Sequence, residues 1–241
     1  MTALLQVQGV THRFRGLVAV DQVSLQIEAG AIFALIGPNG AGKTTLFNLI
    51  SGALRPDQGR IIFDGERIDG LAPHLICRRG LARTFQIVRP FPALSVHENV
   101  VIGAMLHHAD MDGAHRRADD VLRQLDLAPR RAELASSLTL PDRKRLEVAR
   151  ALATSPRLLL LDEVMAGLRP NEIDRMVAIL RDVAAAGITL LLIEHVMRAV
   201  AALAHHVHVL NHGATIAAGR LEEIARHPKV IESYLGAEVV S

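Results

Sequence analysis

One stretch of the chain constrains its fold more than any other part, residues 37–45. It reads Gly37, Pro38, Asn39, Gly40, Ala41, Gly42, Lys43, Thr44 and Thr45. The apolar run 31–36 precedes it, and the run 46–51 follows with the apolar spacing of a helix. A buried strand that turns through glycines into a helix N-terminus is the setting in which the pattern G-x-x-x-x-G-K-[ST] forms a phosphate-binding P-loop. Backbone N–H groups can approach phosphates closely there, and the helix dipole adds partial positive charge.

The same loop carries two side chains with predicted roles. Lys43 would neutralise oxygens of the β- and γ-phosphates, and the Thr44 hydroxyl would ligate Mg²⁺. An ordinary glycine-rich turn is the alternative, but the flanking strand and helix patterns argue against it. The sequence therefore predicts a site for a nucleoside triphosphate together with Mg²⁺.

The composition favours an α/β fold. Half of the 241 residues are apolar while only 3% are aromatic, so Ala, Leu, Val and Ile dominate, as in parallel strands that are buried on both faces. The formal net charge of +2 is too small to indicate binding to nucleic acid. We therefore expect no nucleic acid among the partners, and we interpret the basic runs 78–79, 116–117 and 143–145 as solvated helix surface.

Cysteine usage and hydropathy bear on where the protein works. The single cysteine, Cys77, excludes an intrachain disulfide and fits a reducing compartment. The N-terminus lacks the apolar region of a signal peptide, and no uninterrupted run of about 18 apolar residues occurs. We therefore expect that any role at a membrane depends on docking onto other subunits.

Strand and helix patterns alternate along most of the chain, which predicts a right-handed, mostly parallel sheet. The predicted fold is α/β, with a P-loop NTPase core at 1–87 and 154–241 that includes an N-terminal antiparallel β-subdomain. An inserted helical subdomain is expected at 88–153. Within it, the capping-box pattern of Ser95 and Glu98 opens a helix that ends near His107, and a loop follows at 110–113.

Polar side chains stand where predicted strands end. Gln86 ends the strand that begins at residue 81, Asp162 and Glu163 end an apolar run, and His195 follows a second apolar run. In open parallel sheets, ligands bind at the carboxyl ends of the strands. We therefore predict that these residues converge with the P-loop although they are far apart in the sequence.

The chemistry of three of these residues suits phosphoryl transfer. Asp162 can hold Mg²⁺ through water, as a Walker B aspartate does, and Glu163 is placed to polarise or deprotonate an attacking water. A buried pair of carboxylates is costly without a cation, which argues against two solvated loop acids. His195 could hydrogen-bond the γ-phosphate, although a histidine after a strand is often structural. A loop glutamine such as Gln86 usually meets only solvent.

With these motifs in order, the chain from about Leu4 to Gly236 resembles the nucleotide-binding subunit of an ABC transporter. Residues 37–45 are similar to the Walker A loop, 158–163 to Walker B with its catalytic glutamate, 166–168 to the D-loop, Gln86 to the Q-loop, His195 to the switch histidine and Phe14 to the A-loop aromatic that stacks on adenine. The resemblance implies that Lys43, Gln86, Glu163 and His195 serve catalysis. It also implies that ATP contacts Phe14, residues 37–45, Gln86, Asp162 and His195, and that Thr44, Gln86 and Asp162 surround Mg²⁺.

Two further stretches, 14–20 and 230–236, are similar to the ATPases of branched-chain amino-acid importers. This resemblance implies import of a branched-chain or related amino acid, at the cytoplasmic face of a bacterial inner membrane. It implies permease subunits as direct partners, docked near residues 87–101, and a periplasmic or extracellular substrate-binding protein as an indirect one.

The family's signature, typically Leu-Ser-Gly-Gly-Gln, is degenerate here. Its place reads Leu138, Thr139, Leu140, Pro141 and Asp142. Thr139 keeps a hydroxyl, but Leu140 and Pro141 replace glycines, and proline offers no N–H to a phosphate. Asp142 is expected to add a negative charge near where a γ-phosphate would lie. Val164 also replaces the proline usual after Walker B, a change that we do not interpret.

Because ABC ATPases resemble sandwich dimers in which the partner's signature completes each Walker A, this departure suggests unequal sites. We hypothesise that the partner is a different chain with an intact signature. The P-loop at 37–45 would then hydrolyse ATP, and the partner's P-loop would face the weak segment 138–142. The competing possibility is that Thr139 and the helix N-terminus suffice, so that both sites turn over.

Three other functions are weighed against transport. A soluble ABC ATPase that acts on nucleic acid or ribosomes is the first, although such proteins often carry two cassettes or long inserted arms. A GTPase is the second, but no Asn-Lys-x-Asp motif occurs. A module that binds nucleotide without turnover is the third, and Glu163 argues against it.

Overall fold

The apolar runs of the chain form the centre of a mixed β-sheet. A computed structural model describes residues 3–85, 90–108 and 110–235. Its strands are β1 (Ala3–Phe14), β2 (Leu17–Glu28), β3 (Ile32–Ile36), β4 (Gln58–Phe63), β5 (Glu66–Arg67), β6 (Leu81–Arg83), β7 (Leu158–Asp162), β8 (Thr189–Ile193), β9 (His206–Asn211) and β10 (Ala214–Gly219). Its α-helices are α1 (Lys43–Ile50), α2 (Pro73–Arg78), α3 (Val96–Ala104), α4 (Met111–Gln124), α5 (Leu140–Ala153), α6 (Pro170–Ala185), α7 (Met197–Leu203), α8 (Leu221–Ile224) and α9 (Pro228–Leu235).

The mixed sheet has the strand order β10-β9-β3-β8-β7-β6 within the described residues. All neighbours in it pair in parallel except β9 and β10. Every residue of β3, β7 and β8 is buried, as expected where apolar strands are covered on both faces. The prediction of a mostly parallel sheet is confirmed, and the carboxyl ends of its central strands meet at one edge.

A separate antiparallel sheet with the order β2-β1-β4-β5 covers one face of this core. Its buried side chains form one apolar cluster with helix α1 and the mixed sheet, which includes Val7, Val23, Phe47, Leu158 and Leu191. The predicted N-terminal antiparallel strands are therefore present. They bring the β1–β2 hairpin next to the P-loop.

Helices α3 to α6 cover the opposite face of the mixed sheet. Their apolar side chains, such as Val100, Val121 and Leu180, share a cluster with Leu159 and Leu190 of the sheet. These strand residues alternate with those of the other cluster, because successive side chains of a strand point to opposite faces. Helix α5 thereby belongs to a different layer of the core from the P-loop helix α1.

Three predicted boundaries are wrong. Helix α3 ends at Ala104 rather than near His107, and β6 ends at Arg83, before the predicted residue 86. The stretch 110–113 is not a loop, because the Asp110 carboxylate accepts the Gly113 N–H at 2.6 Å and caps α4 from Met111 onward. Among the residues that the structure describes, no helix has the length and apolar character needed to cross a membrane.

Candidate nucleotide-binding site

The glycine loop runs from the end of β3 to the start of α1, as its pattern predicts. Two of its glycines adopt positive φ where a side chain would collide with backbone. A Cβ on Gly37 (φ 149°) would lie 2.1 Å from the Leu210 carbonyl oxygen, and one on Gly42 (φ 98°) would lie 2.3 Å from the Ala19 carbonyl oxygen. Only glycine fits these two positions, so the loop's shape is fixed by β9 and the β1–β2 hairpin that press against it.

Lys43 is the first residue of α1, and its side chain is folded onto the loop. The buried ammonium donates to the carbonyl oxygens of Gly37 at 2.7 Å and Pro38 at 3.0 Å. Burial lowers the pKa of Lys43, while the charges of Glu163 and Asp162 act in the opposite direction. Lys43 therefore places a cation between the loop and the two carboxylates at the end of β7.

Asp162 ends β7 and is almost completely buried. Its Oδ2 accepts a hydrogen bond from Arg83 at 2.8 Å, in an ion pair whose two side chains are 8% and 1% exposed. Its Oδ1 is buried and has no hydrogen-bond partner within the described residues. A buried carboxylate oxygen without a donor is costly unless a cation or water meets it.

Glu163 follows Asp162 in a conformation that is uncommon for a side-chain-bearing residue, with φ 50°. Its N–H donates to the Ile193 carbonyl at 2.9 Å, and its Oε1 lies 3.0 Å from His195 Nε2. The predicted pair of residues is thus brought together across 32 positions of sequence. The left-handed turn directs the carboxylate from the buried end of β7 towards the histidine.

The P-loop, Glu163 and His195 line one cavity of about 400 Å³. The hairpin strand β2 borders this cavity with Leu17, Val18 and Ala19, and His212 lies at its edge. Sequence reasoning missed these residues, since nothing in a solvent-facing apolar strand marks it as a wall of a site. The cavity combines glycine backbone, a lysine and a carboxylate–histidine pair, the groups needed to hold a polyphosphate and activate water.

Phe14 packs differently from these three hairpin residues. Its ring meets the His12 ring edge-on, with centroids 4.6 Å apart, and 45% of the residue is exposed. Phe14 itself does not line the cavity, so stacking on adenine stays a prediction. Gln86 lies outside the described residues, and its predicted contacts with nucleotide and Mg²⁺ also stay predictions.

Two charged residues near Glu163 were not predicted as site residues. Lys144 of α5 is 6% exposed and donates to the Glu163 carbonyl oxygen at 2.9 Å. Burial lowers the pKa of Lys144, against the effects of Glu194 and other nearby carboxylates. Glu194 accepts the Met165 N–H at 3.0 Å, and its burial raises its pKa to about 7. Lys144 and Glu194 therefore both fix the backbone of the turn after Asp162, at Glu163 and at Met165.

The interpretation of residues 143–145 as solvated surface is wrong for two of the three. Arg143 is exposed, but Lys144 and Arg145 are both buried. Lys144 is enclosed by the turn after β7 and Arg145 by the end of α4, although the sequence of this run is basic. The buried Asp142 carboxylate pairs with Arg145, and the Glu163 carbonyl accepts from Lys144. The sequence of the basic run does not predict these acceptors.

The predicted signature segment 138–142 forms the N-terminus of α5. Leu140 begins the helix and Pro141 follows within its first turn, where the missing N–H of proline costs least. The Thr139 hydroxyl donates to Asp142 Oδ2 at 2.7 Å. Thr139 itself is exposed, and Leu140 is 39% exposed.

The Asp142 carboxylate is buried and paired within the chain. The residue is 3% exposed and forms ion pairs with Arg145 of the same helix and with Arg130, whose Nε lies 3.2 Å from Oδ2. The negative charge of Asp142 is therefore balanced by two arginines of the same chain, and its position near a γ-phosphate stays a prediction. The carboxylate is turned inward, because Arg145 of its own helix and Arg130 from the segment before it enclose it.

The family-model comparison identifies two regions. The model described as ABC transporter matches residues 20–166, and the model described as branched-chain amino acid ATP-binding cassette transporter matches residues 214–240. The first match alone covers more than half of the chain and spans both the P-loop and the end of β7.

Named proteins from several organisms are similar to nearly the whole chain. The high-affinity branched-chain amino acid transport ATP-binding protein BraF of Pseudomonas aeruginosa is 40% identical over 97% of this chain and 98% of its own length. The protein LivG of Escherichia coli, which has the same description, is 38% identical with the same coverage. The lipopolysaccharide export system ATP-binding protein LptB of Acidithiobacillus ferridurans is 37% identical over 98% of both chains.

Solved structures match the architecture as well. A nucleotide-free ATP-binding cassette from an ABC transporter superposes with a TM-score of 0.88, at 31% identity over 97% of this chain and 99% of that one. The ADP conformation of an ATP-binding cassette of an ABC transporter gives 0.89, at 31% identity over 98% and 100%. The strand order, the two sheets and the helical layer are thus those of a known class of nucleotide-binding domain.

Proposed function

The chain belongs to the ABC transporter family of ATP-binding proteins, and from that premise we propose that it is the ATP-hydrolysing subunit of an importer for branched-chain or related amino acids. The observation that carries the hydrolytic part is the 3.0 Å contact between Glu163 and His195 beside the P-loop. The cargo is supported by the match at 214–240 and by the names of the relatives BraF and LivG.

The residues of this chain divide the work of phosphoryl transfer. Backbone N–H groups of 37–45 would hold the phosphates, and the Lys43 ammonium would leave the Gly37 and Pro38 carbonyls to bind the β- and γ-phosphate oxygens. Glu163 would accept the proton of the attacking water. His195 would hydrogen-bond the γ-phosphate and keep it aligned with the Glu163 carboxylate. Lys144 supports this role because it anchors the Glu163 backbone.

The residues present fit a magnesium ion. The Oδ1 of Asp162 is a buried carboxylate oxygen with no donor among the described residues, and Thr44 presents an exposed hydroxyl side chain at the start of α1. Oxygen ligands of this kind suit Mg²⁺, which keeps several of its waters. When bound, the ion would neutralise charge that develops on the phosphates. We propose that Thr44, Gln86 and Asp162 hold it, Asp162 through water.

The site described so far would be one half of a working site. In the family's sandwich dimer, the signature of a second subunit would cover the nucleotide at 37–45. The segment 138–142 supports a partner other than a second copy of this chain, because Pro141 supplies no N–H and Asp142 is bound by two arginines. We propose a heterodimer in which this chain's P-loop turns over ATP.

Motion of such a dimer would pass to permease subunits through Gln86 and the following residues up to about 101. The exposed apolar side chains of Phe85, Phe91, Ile102 and Met105 adjoin this region and suit an interface with another protein. The chain would then be peripheral, at the cytoplasmic face of a bacterial inner membrane. A binding protein outside that membrane would deliver the amino acid.

Affinity purification of the complex from native membranes tests this proposal. We expect two permease chains and a second ATPase chain to co-purify, and we expect uptake of labelled leucine to fail in a strain that lacks this subunit. Complementation by the wild-type chain should restore uptake, whereas Glu163→Gln should not. Co-purification with ribosomes or RNA, or uptake of leucine at the wild-type rate in the deletion strain, would refute it.

A further inference from the structure

Arg83 at the end of β6 links this strand by hydrogen bonds to β7 and to helix α1. Its guanidinium donates to Asp162 Oδ2 on β7 at 2.8 Å and to Asn48 Oδ1 on α1 at 2.6 Å. It also donates to Ser51 Oγ, just after α1, at 3.2 Å. The side chain of Arg83 is 8% exposed.

The surroundings of Arg83 favour one arrangement of the guanidinium. Its carbon lies 5.6 Å from the centre of the Phe47 ring and 5.5 Å from that of Phe85. Within the described residues, its Nε finds no acceptor, so the hydrogen bonds come from the two terminal nitrogens. Planar stacking and a fixed fork are properties of arginine that lysine lacks.

We propose that Arg83 is a positioning residue for the magnesium site. Within the described residues, the proposed magnesium ligands lie on two elements. Thr44 is on α1, and Asp162 is at the end of β7. Arg83 is hydrogen-bonded to both, since Asn48 lies one helical turn after Thr44. By holding Oδ2, it fixes the Asp162 carboxylate and leaves Oδ1 as the oxygen open to the metal's water. This inference rests on the proposed function, and in particular on Mg²⁺ at that site.

An arginine is suited to this task because Asp162 is buried. A carboxylate without a charged or hydrogen-bonding partner would be unfavourable at this depth. Arg83 supplies that partner whether or not the metal is bound, and the carboxylate is therefore preorganised. Residues that orient metal ligands from behind typically change metal affinity by about 10–100-fold when they are removed.

The test is the ratio of ATP affinities with Mg²⁺ and with EDTA, measured by calorimetry on the full chain. Glu163→Gln serves as the background in every protein, so that hydrolysis does not interfere. Adding Arg83→Met should lower the ratio by about tenfold or more, while affinity in EDTA stays within about threefold because the P-loop is untouched. Arg83→Lys should lie between, since lysine keeps the charge but cannot reach Asp162, Asn48 and Ser51 together.

The matched control is Arg79→Met, which removes an exposed arginine from its ion pair with Glu66 and should leave the ratio unchanged. Equal weakening of ATP binding in both conditions, or an unchanged ratio in Arg83→Met, would overturn the positioning role. Should Arg83→Met fail to fold, an unchanged ratio in Arg83→Lys would overturn it in the same way. If the background protein itself shows no dependence on Mg²⁺, the proposed magnesium site fails and this inference fails with it.

Discussion

The P-loop at 37–45 and the signature segment at 138–142 are both helix N-termini expected to face a nucleotide, yet their polar groups are arranged in opposite ways. In the P-loop, glycines with positive φ form the curve, and successive backbone N–H groups in such a turn make a concave site for an anion. In the signature segment, the Thr139 hydroxyl and both arginine partners bind Asp142. One N-terminus is preorganised for an anion, and the other is satisfied by its own side chains.

This difference bears on how two such chains could assemble. A site completed by a second copy of residues 138–142 would gain no N–H from Pro141 and little help from a neutralised cluster. A partner with an intact signature would supply the backbone N–H groups and the polar contacts that residues 138–142 do not offer. The predictions below separate the two helix N-termini, beginning with the change that should matter most.

Removing the cation of the P-loop should have the largest effect. Lys43→Met is expected to weaken ATP binding by about 100-fold or more, because charge-assisted hydrogen bonds to the phosphates are lost. Calorimetry on the full chain measures it. Arg78→Met, which removes an exposed cation from α2, is the control and should change affinity less than about threefold. Equal behaviour of the two variants would remove Lys43 from the site.

Lys144 connects the two regions within one chain, since it lies on α5 and binds the Glu163 carbonyl. Lys144→Met should reduce turnover of the complex by about tenfold, because the left-handed backbone at Glu163 loses an anchor. ATP affinity should change little, since the P-loop is untouched. Steady-state kinetics with Arg78→Met as control separates turnover from ATP affinity. A change confined to KM would contradict the anchoring role.

The cluster around Asp142 should matter for stability and not for hydrolysis. Asp142→Asn is expected to lower the free energy of unfolding by about 3 kcal/mol, because Arg145 is left buried without its counter-charge. Urea denaturation measures this value. Asp174→Asn breaks an exposed ion pair with Arg198 and should cost at most about 1 kcal/mol. A large rise in ATPase activity in Asp142→Asn would instead show that its charge repels phosphate.

The smallest effect is expected from restoring one donor to the signature segment. Pro141→Gly adds an N–H at the start of α5 and should raise turnover of the complex by at most about twofold, as the second site gains activity. Pro73→Gly, at the start of α2, is the control for the general effect of this substitution. A fall in turnover for Pro141→Gly alone would mean that the segment already functions as it stands.

These contrasts also show what the sequence could and could not predict. Local patterns sufficed for the P-loop and the buried strand that ends in Asp162, because glycine spacing and apolar runs are encoded by neighbouring residues. Parallel pairing then made the approach of Glu163 and His195 predictable, since both follow central strands. The domain boundaries and the roles of Phe14 and Gln86 stay predictions.

The missed residues act over long sequence separations. Arg83 lies 79 positions from Asp162, and Lys144 lies 19 from Glu163. A basic run such as 143–145 has the composition of a solvated surface, and only tertiary packing against the turn after β7 and the end of α4 encloses Lys144 and Arg145. The inward turn of Asp142 likewise depends on Arg130, which comes from a segment outside the helix.

The central claim is that ATP is hydrolysed at the site formed by this chain's P-loop and the partner's signature. Glu163→Gln in the assembled complex tests this claim most directly. The ATPase rate should fall by about 100-fold or more with ATP still bound, whereas the matching change in the partner subunit should leave most of the rate. Retention of ATPase activity and transport by Glu163→Gln would contradict the claim.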